Sequence, residues 1–228
     1  MKLNGKIGIA VCSLACSMSM LANNAQLWTK EDIVYAVAPK TAIGFSQENR
    51  IGINEWNDGK KHLDEIHVAP SVDYLVLNWL SIGANYRHVL IRNGSDARYT
   101  NDRRPGIDIA LKKSVYGISL LNRSRFICRI PEGENPYFRY RNLSKVSYSL
   151  GDFSPFASYE WYYDEGSHQR PYRKNDRFSQ QWISFGIDYK VCKKLKATLY
   201  YMLTENKNRI EHNWYPGHVI GIGIAMSF

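Results

Sequence analysis

The closing segment of the chain alternates strictly between large apolar and small side chains. The large residues are Ile220, Ile222, Ile224, Met226 and Phe228. The small residues between them are Gly221, Gly223, Ala225 and Ser227. A period of two places successive side chains on opposite faces of a β-strand. The pattern therefore predicts a strand that has one apolar face and one face of small residues, and that ends on an aromatic side chain.

Similar alternation recurs along the whole chain and divides it into a series of strands. Counting these segments predicts about eleven strands, most of them about 10–14 residues long. The connections between the strands alternate between two kinds. Short turns are predicted at residues 39–40, 77–79, 115–117, 151–152 and 192–194. Longer polar loops are predicted at residues 54–61, 92–102, 132–136, 165–176 and 205–215.

Long strands joined by alternating short turns and long loops are typical of membrane barrels. A tilted strand of about 9–11 residues crosses a bilayer, and an open sheet edge cannot be satisfied in lipid. The sequence therefore predicts an all-β fold, an antiparallel up-and-down transmembrane β-barrel of about 10–12 strands with short periplasmic turns and longer extracellular loops. Single-chain bacterial barrels normally have even strand numbers. A count of eleven then implies a strand merged or missed near the amino end, or a first segment that does not cross.

The amino terminus has the organisation of a secretory signal peptide. Lys2 and Lys6 form a basic end, residues 7–15 form an apolar core, and small residues follow as far as Ala22. We expect cleavage after Ala22, so that residues 1–22 are the signal peptide and residues 23–228 form the barrel, located in the bacterial outer membrane. Cys128 and Cys192 remain after cleavage; they are expected near opposite ends of strands, too far apart for a disulfide.

A set of charged residues falls on the strand faces opposite the apolar ones. The set comprises Arg123, Arg125, Arg129, Arg139, Arg141, Glu160, Asp108 and Asp188. A charge on the lipid face costs about 2–4 kcal/mol at mid-depth, so we expect these side chains to point into the lumen. There, arginine and carboxylate groups can pair as forks. The network either fills and stiffens a narrow lumen, or forms an arginine-rich constriction that selects anions, as charged rings do in pores.

Overall charge and motif content restrict the function classes. A net charge of +9 often indicates a nucleic-acid partner, but an exported barrel instead meets outer-membrane lipids and lipopolysaccharide phosphates. We therefore expect no nucleic-acid partner, and a small anionic solute is the candidate ligand. The sequence contains no metal-ligand spacing, phosphate loop or dinucleotide fingerprint, so no metal site and no cofactor are expected.

An outer-membrane lipid-modifying acyl hydrolase or transferase is the alternative function. Such an enzyme needs a serine–histidine pair with a carboxylate or amide partner at the barrel rim. The candidate histidines are His67, His88, His168 and His212. No serine lies at a spacing that marks a nucleophile, so no catalytic residue is assigned and the chain is not expected to be an enzyme.

Several strings of residues resemble DUF2490, an uncharacterised family of predicted outer-membrane barrel proteins. The strings are FRYR at 138–141, PFASYEW at 155–161, FGIDYK at 185–190, LYYM at 199–202 and IGIG at 220–223. Residues 27–29 and 85–87 fit the same pattern, whereas residues 142–144 depart from it. The resemblance implies the fold and the location, and it carries no activity. The closing strand also resembles the assembly signal of bacterial outer-membrane barrels, which implies the barrel-assembly machinery as a partner.

Overall fold

The structure is a computed structural model and describes residues 25–53, 62–93, 98–165, 177–207 and 213–228. The predicted signal peptide, His168 and His212 lie outside these residues. The strands are β1 (Ala25–Ala38), β2 (Thr41–Gly52), β3 (His62–Leu77), β4 (Leu80–Asn93), β5 (Arg98–Val115), β6 (Ile118–Pro131), β7 (Tyr137–Tyr148), β8 (Phe153–Glu165), β9 (Phe178–Cys192), β10 (Leu195–Lys207) and β11 (Trp214–Ser227). They close into one barrel in chain order. In these ranges no helix has the length and apolar character needed to cross a membrane.

The first and last strands close the barrel, and they pair in parallel. β1 and β11 align from Ala25 opposite His218 to Val34 opposite Ser227. All other neighbouring strands pair antiparallel. The predicted antiparallel up-and-down barrel of about 10–12 strands is confirmed with eleven strands, and the closing seam of β1 with β11 is its one parallel pairing. Because up-and-down strands alternate in direction, an odd number brings the first and last strands into the same direction at the closing seam.

The connections define two ends of the barrel. The turn end carries the short connections at residues 39–40, 78–79, 116–117, 149–152 and 193–194. The loop end carries the connection 132–136 and the ends of the strands that flank the other predicted loops. Tyr116 and Gly117 have φ angles of 50° and 80°, and a tight two-residue hairpin turn needs positive φ at both positions.

The polar loop predicted at residues 92–102 is largely strand. β4 continues to Asn93 and β5 already begins at Arg98. The polar composition that suggested a loop has a different cause, because Asp102 faces the lumen and its side chain is 1% exposed. Asp102, at the end of this segment, therefore serves the interior of the barrel, whereas Arg98 at its start is exposed.

The two cysteines predicted to stay unpaired are free thiols. Cys128 lies on β6 opposite Phe138, close to the loop end. Cys192 is the last residue of β9, at the turn end. Both are free cysteines in the structure and lie at opposite ends of the barrel.

The outer surface of the barrel is an apolar band with an aromatic border at the turn end. Ile107, Phe185 and Ile222 illustrate the band, with exposures of 54%, 57% and 47%. The aromatic border consists of Tyr35, Tyr74, Trp79, Tyr116, Tyr148, Phe153, Tyr189 and Phe228. Aromatic side chains of this kind favour the boundary between lipid tails and water. The outside of the barrel is therefore matched to a bilayer.

A polar patch on β6 and β7 interrupts the apolar band. Asn122 and Asn142 alternate with lumen-lining residues and therefore face outward. Their side-chain amides bond to each other in both directions, at 3.0 and 3.2 Å. The Asn142 amide also donates to Ser124 Oγ at 3.1 Å. The two amides thus satisfy each other in the segment where residues 142–144 depart from the family pattern.

The small face of β11 makes room for a large side chain of β10. Tyr200 lies so close to Gly221 that a Cβ atom at position 221 would overlap its ring. At Gly186 of β9, an added Cβ would lie 2.6 Å from the Cβ of Tyr200. Beside Tyr200 lies a buried apolar cluster of Trp28, Met202 and Val219. Glycine on the inward face therefore lets aromatic side chains fill this part of the lumen.

Candidate functional site in the barrel lumen

Arginine–carboxylate pairs join β5 and β6 inside the lumen. Arg125 donates from Nε and Nη2 to the two oxygens of Asp108, both at 2.5 Å. Nearer the loop end, Asp102 accepts from Arg129 and from Arg104 at 2.8 Å. Forked, charge-assisted bonds of this kind are about twice as strong as neutral hydrogen bonds. They fix the two strands to each other through their inward side chains.

The next pair of strands, β7 and β8, carries two more forks. Arg139 donates to Asp164 at 2.5 and 2.7 Å, and Arg141 donates to Glu160 at 3.2 and 3.0 Å. The hydroxyl of Tyr162, a fully buried residue, donates to Glu160 at 3.0 Å. Each of these arginines therefore meets a carboxylate across the strand boundary, in an interior that excludes most water.

The remaining two residues of the predicted lumen set behave differently. Asp188 accepts from Lys145 at 3.2 Å, from Lys196 at 3.5 Å and from Thr198 at 2.7 Å. Arg123 also lines the lumen, but within the described residues no carboxylate lies within ion-pair distance of it. Its main attraction is to Glu160, which Arg141 already binds. The eight predicted residues therefore all face inward, and Arg123 alone among them has no ion pair in the described part of the chain.

A second charged cluster, on β2 and β3, was missed by sequence reasoning. Arg50 contacts Glu48 at 2.8 Å and Glu65 at 3.1 Å, and its guanidinium lies 3.7 Å from the ring centroid of Trp28. The Nε2 atom of His67 lies 2.6 Å from Glu65. The spacing of Glu48 and Arg50, two residues apart on an alternating strand, was the signal that could have placed them in the lumen.

The interior contains two chambers along the barrel axis. The inner chamber, toward the turn end, has a volume of about 590 Å³. The outer chamber, toward the loop end, has a volume of about 220 Å³. The residues that line both are called the Trp–Arg layer here, and they are Trp28, Arg50, Arg87, Arg141 and Trp182. Any passage along the lumen runs through this layer.

The chambers differ in charge balance. Six arginines and one glutamate line the outer chamber, namely Arg50, Arg87, Arg104, Arg129, Arg139, Arg141 and Glu65. In the inner chamber, eight basic side chains face six acidic ones. Both chambers therefore present more cationic than anionic groups to whatever occupies them. Across the described ranges, no group of three or more histidine, cysteine, aspartate or glutamate residues is placed to hold a metal ion.

The family of the chain follows from a comparison with protein-family models. The model described as "Protein of unknown function (DUF2490)" matches residues 25–215. The chain belongs to the DUF2490 family. Membership confirms the resemblance seen in the sequence, and the family description assigns no activity. A comparison with curated proteins gives no match.

Solved structures share the architecture of this DUF2490 barrel. The structure described as "NanC porin structure in rhombohedral crystal form" is similar to it, with a TM-score of 0.54 and 8% sequence identity, over 89% of this chain and 98% of that chain. At this identity the likeness concerns the fold alone. "LpxR from Salmonella typhimurium" has a TM-score of 0.49 at 11% identity, over 81% of this chain and 83% of that chain. The latter score is too low to support an argument.

Proposed function

We propose that this protein is an outer-membrane barrel that passes small solutes and prefers anions. The observation that carries the proposal is the pair of chambers of about 590 and 220 Å³, whose walls are predominantly basic. Fixed positive charge in a narrow, low-dielectric passage concentrates anions and opposes cations. The similarity of the fold to a structure described as a porin supports a barrel that encloses a passage.

The proposed location is the bacterial outer membrane, reached after removal of residues 1–22. The apolar band and its aromatic border support this location, because they match lipid tails and the interface. The barrel-assembly machinery is the proposed partner of β11, whose outward face carries Ile220, Ile222, Ile224, Met226 and Phe228. Outer-membrane lipids and lipopolysaccharide are the proposed surroundings, and nucleic acid has no part in the function.

The proposal is tested by conductance of the purified protein in planar lipid bilayers under a potassium chloride gradient. The expected result is a reversal potential of the sign set by chloride. Arg104→Gln, which removes a charge from the outer chamber, should shift this potential toward zero. Arg98→Gln is the matched control, because the Arg98 side chain is 77% exposed at the loop end. Absence of conductance, or a preference for potassium, would overturn the proposal.

The alternative, a lipid-modifying acyl hydrolase or transferase, requires a serine close to a histidine and a carboxylate. His67 is buried against Glu65, and His88 lies 3.1 Å from the side-chain oxygen of Asn101. His218 Nδ1 lies 2.6 Å from a tyrosine hydroxyl. These described contacts bring no serine to an imidazole, so no observation here favours the hydrolase.

A further inference from the structure

Two residues that line the inner chamber carry buried hydrogen-bond donors without partners. Among the described residues, the buried Asn85 Nδ2 and Trp182 Nε1 atoms have no hydrogen-bond acceptor, and both residues line this chamber. A buried donor without a partner costs about 1–3 kcal/mol, and such groups are rare in folded proteins. Because both atoms are closed off from the chamber, acceptors of a bound solute would relieve this cost only after the two side chains shift.

Two arginines without a carboxylate of their own line the same chamber. Within the described part of the chain, neither Arg87 nor Arg123 makes an ion pair. The main attraction on Arg87 comes from Glu48, which Arg50 already holds at 2.8 Å. The main attraction on Arg123 comes from Glu160, which forms the fork with Arg141. These carboxylates are thus committed to other guanidinium groups.

Arg87 and Arg123 approach the chamber from different strands but share neighbours. Arg87 lies on β4 and Arg123 on β6, and both are within electrostatic range of Arg125 and Arg141. The chamber also contains the carboxylate of Asp73, whose main electrostatic neighbour is another carboxylate, Asp108. Eight basic and six acidic side chains line this chamber, with Asp73 counted among the acidic ones. The basic side chains therefore remain in excess.

We infer that the inner chamber is a binding site for a small solute with two negative charges, carried by carboxylate or phosphate groups. Arg87 and Arg123 bind its charged oxygens, and Asn85 Nδ2 and Trp182 Nε1 become donors to it when their side chains turn toward the chamber. The planar guanidinium fork matches both carboxylate and phosphate oxygens. Two guanidinium groups without partners favour a dianion over a monoanion. The inference rests on the proposed anion-preferring pore, because a bound solute must reach the chamber through the lumen.

The test is isothermal titration calorimetry on the full mature chain in detergent micelles. The probes are succinate and inorganic phosphate as dianions, acetate as a monoanion and glucose as a neutral solute, at constant ionic strength. We expect saturable binding of succinate, phosphate or both, weaker binding of acetate, and none of glucose. Arg87→Gln and Arg123→Gln should each weaken the dianion by at least about tenfold, the value of one hydrogen bond to a charged group. Arg98→Gln should leave the affinity unchanged.

Because Arg87 and Arg123 have no ion pair in the described structure, both glutamine variants should keep the folded barrel, which a heat-dependent shift on gel electrophoresis verifies. Loss of binding in a variant that retains this shift supports the inference. Equal binding of succinate and acetate, or equal affinity of R87Q, R123Q and the unchanged protein, overturns it. Anion-selective conductance without saturable binding would refute the binding site but not the proposed pore. Saturable binding without conductance would refute the proposed pore but not the binding site.

Discussion

The fork between Arg141 and Glu160 provides a quantitative test of the lumen network. Glu160→Gln keeps the shape of the side chain and an acceptor for the Tyr162 hydroxyl, but removes the charge that two guanidinium bonds at 3.0 and 3.2 Å use. The two side chains are only 11% and 10% exposed. Removing one member of a buried pair costs about 3–5 kcal/mol. Because the chambers on either side admit water, we expect a value near the lower end, about 3 kcal/mol.

The assay is reversible urea unfolding of the barrel in phospholipid vesicles, followed by tryptophan fluorescence. The double variant Arg141→Met with Glu160→Leu removes both charges, and it should be as stable as the unchanged protein to within about 1 kcal/mol. With the single variants Arg141→Met and Glu160→Leu measured beside it, the double variant completes a cycle that isolates the pair from the rest of the lumen. Single-variant costs below about 1 kcal/mol, the value of an exposed ion pair, would refute the view that this fork lies in a water-poor interior.

Three further perturbations test other parts of the barrel. Gly221→Val should force Tyr200 out of its position and lower the free energy of unfolding by about 1–3 kcal/mol, measured in the same urea assay. Asn142→Leu should cost about 1–3 kcal/mol because it leaves the Asn122 side-chain oxygen without its donor, although Asn122 Nδ2 keeps its bond to Ser144 Oγ. The double variant Asn122→Leu with Asn142→Leu should restore stability, and equal costs would count against the reciprocal pair. Phe228→Ala should reduce the fraction of heat-shifted, assembled barrel in outer-membrane preparations, with Tyr35→Ala in the aromatic border as a control that assembles normally.

The strand pattern was predictable because alternation is a local property. The closing strand and the Arg139–Arg141 segment each carry a period of two, and lipid on one side makes a slip in face assignment costly. The parallel seam could also have been predicted from the strand count. A closed barrel of eleven up-and-down strands must contain one parallel pairing. An even count is the rule for single-chain bacterial barrels. The pairing of β1 with β11 shows that this rule does not hold for this chain.

The partners of the charged residues could not be predicted in the same way. Arg129 binds Asp102, which lies 27 positions earlier in the chain and in a segment whose polar composition suggested a loop. Arg50 meets Trp28 and Glu65 from two different strands. Which carboxylate an inward arginine binds depends on register and on the reach of long side chains. The alternation of one strand specifies neither.

Stiffening of the lumen and anion preference were posed as alternatives, and we propose that different arginines serve each. Arg125, Arg139 and Arg141 are forked to carboxylates across strand boundaries, so most of their charge is compensated and their contribution is to hold the wall. Arg87 and Arg123 have no such partner in the described structure and add little to the wall. A barrel that needed only to be filled could dispense with two guanidinium groups that are costly to bury alone. Their place beside buried donors without partners supports the proposal that a solute completes their bonds, while the paired arginines hold the wall.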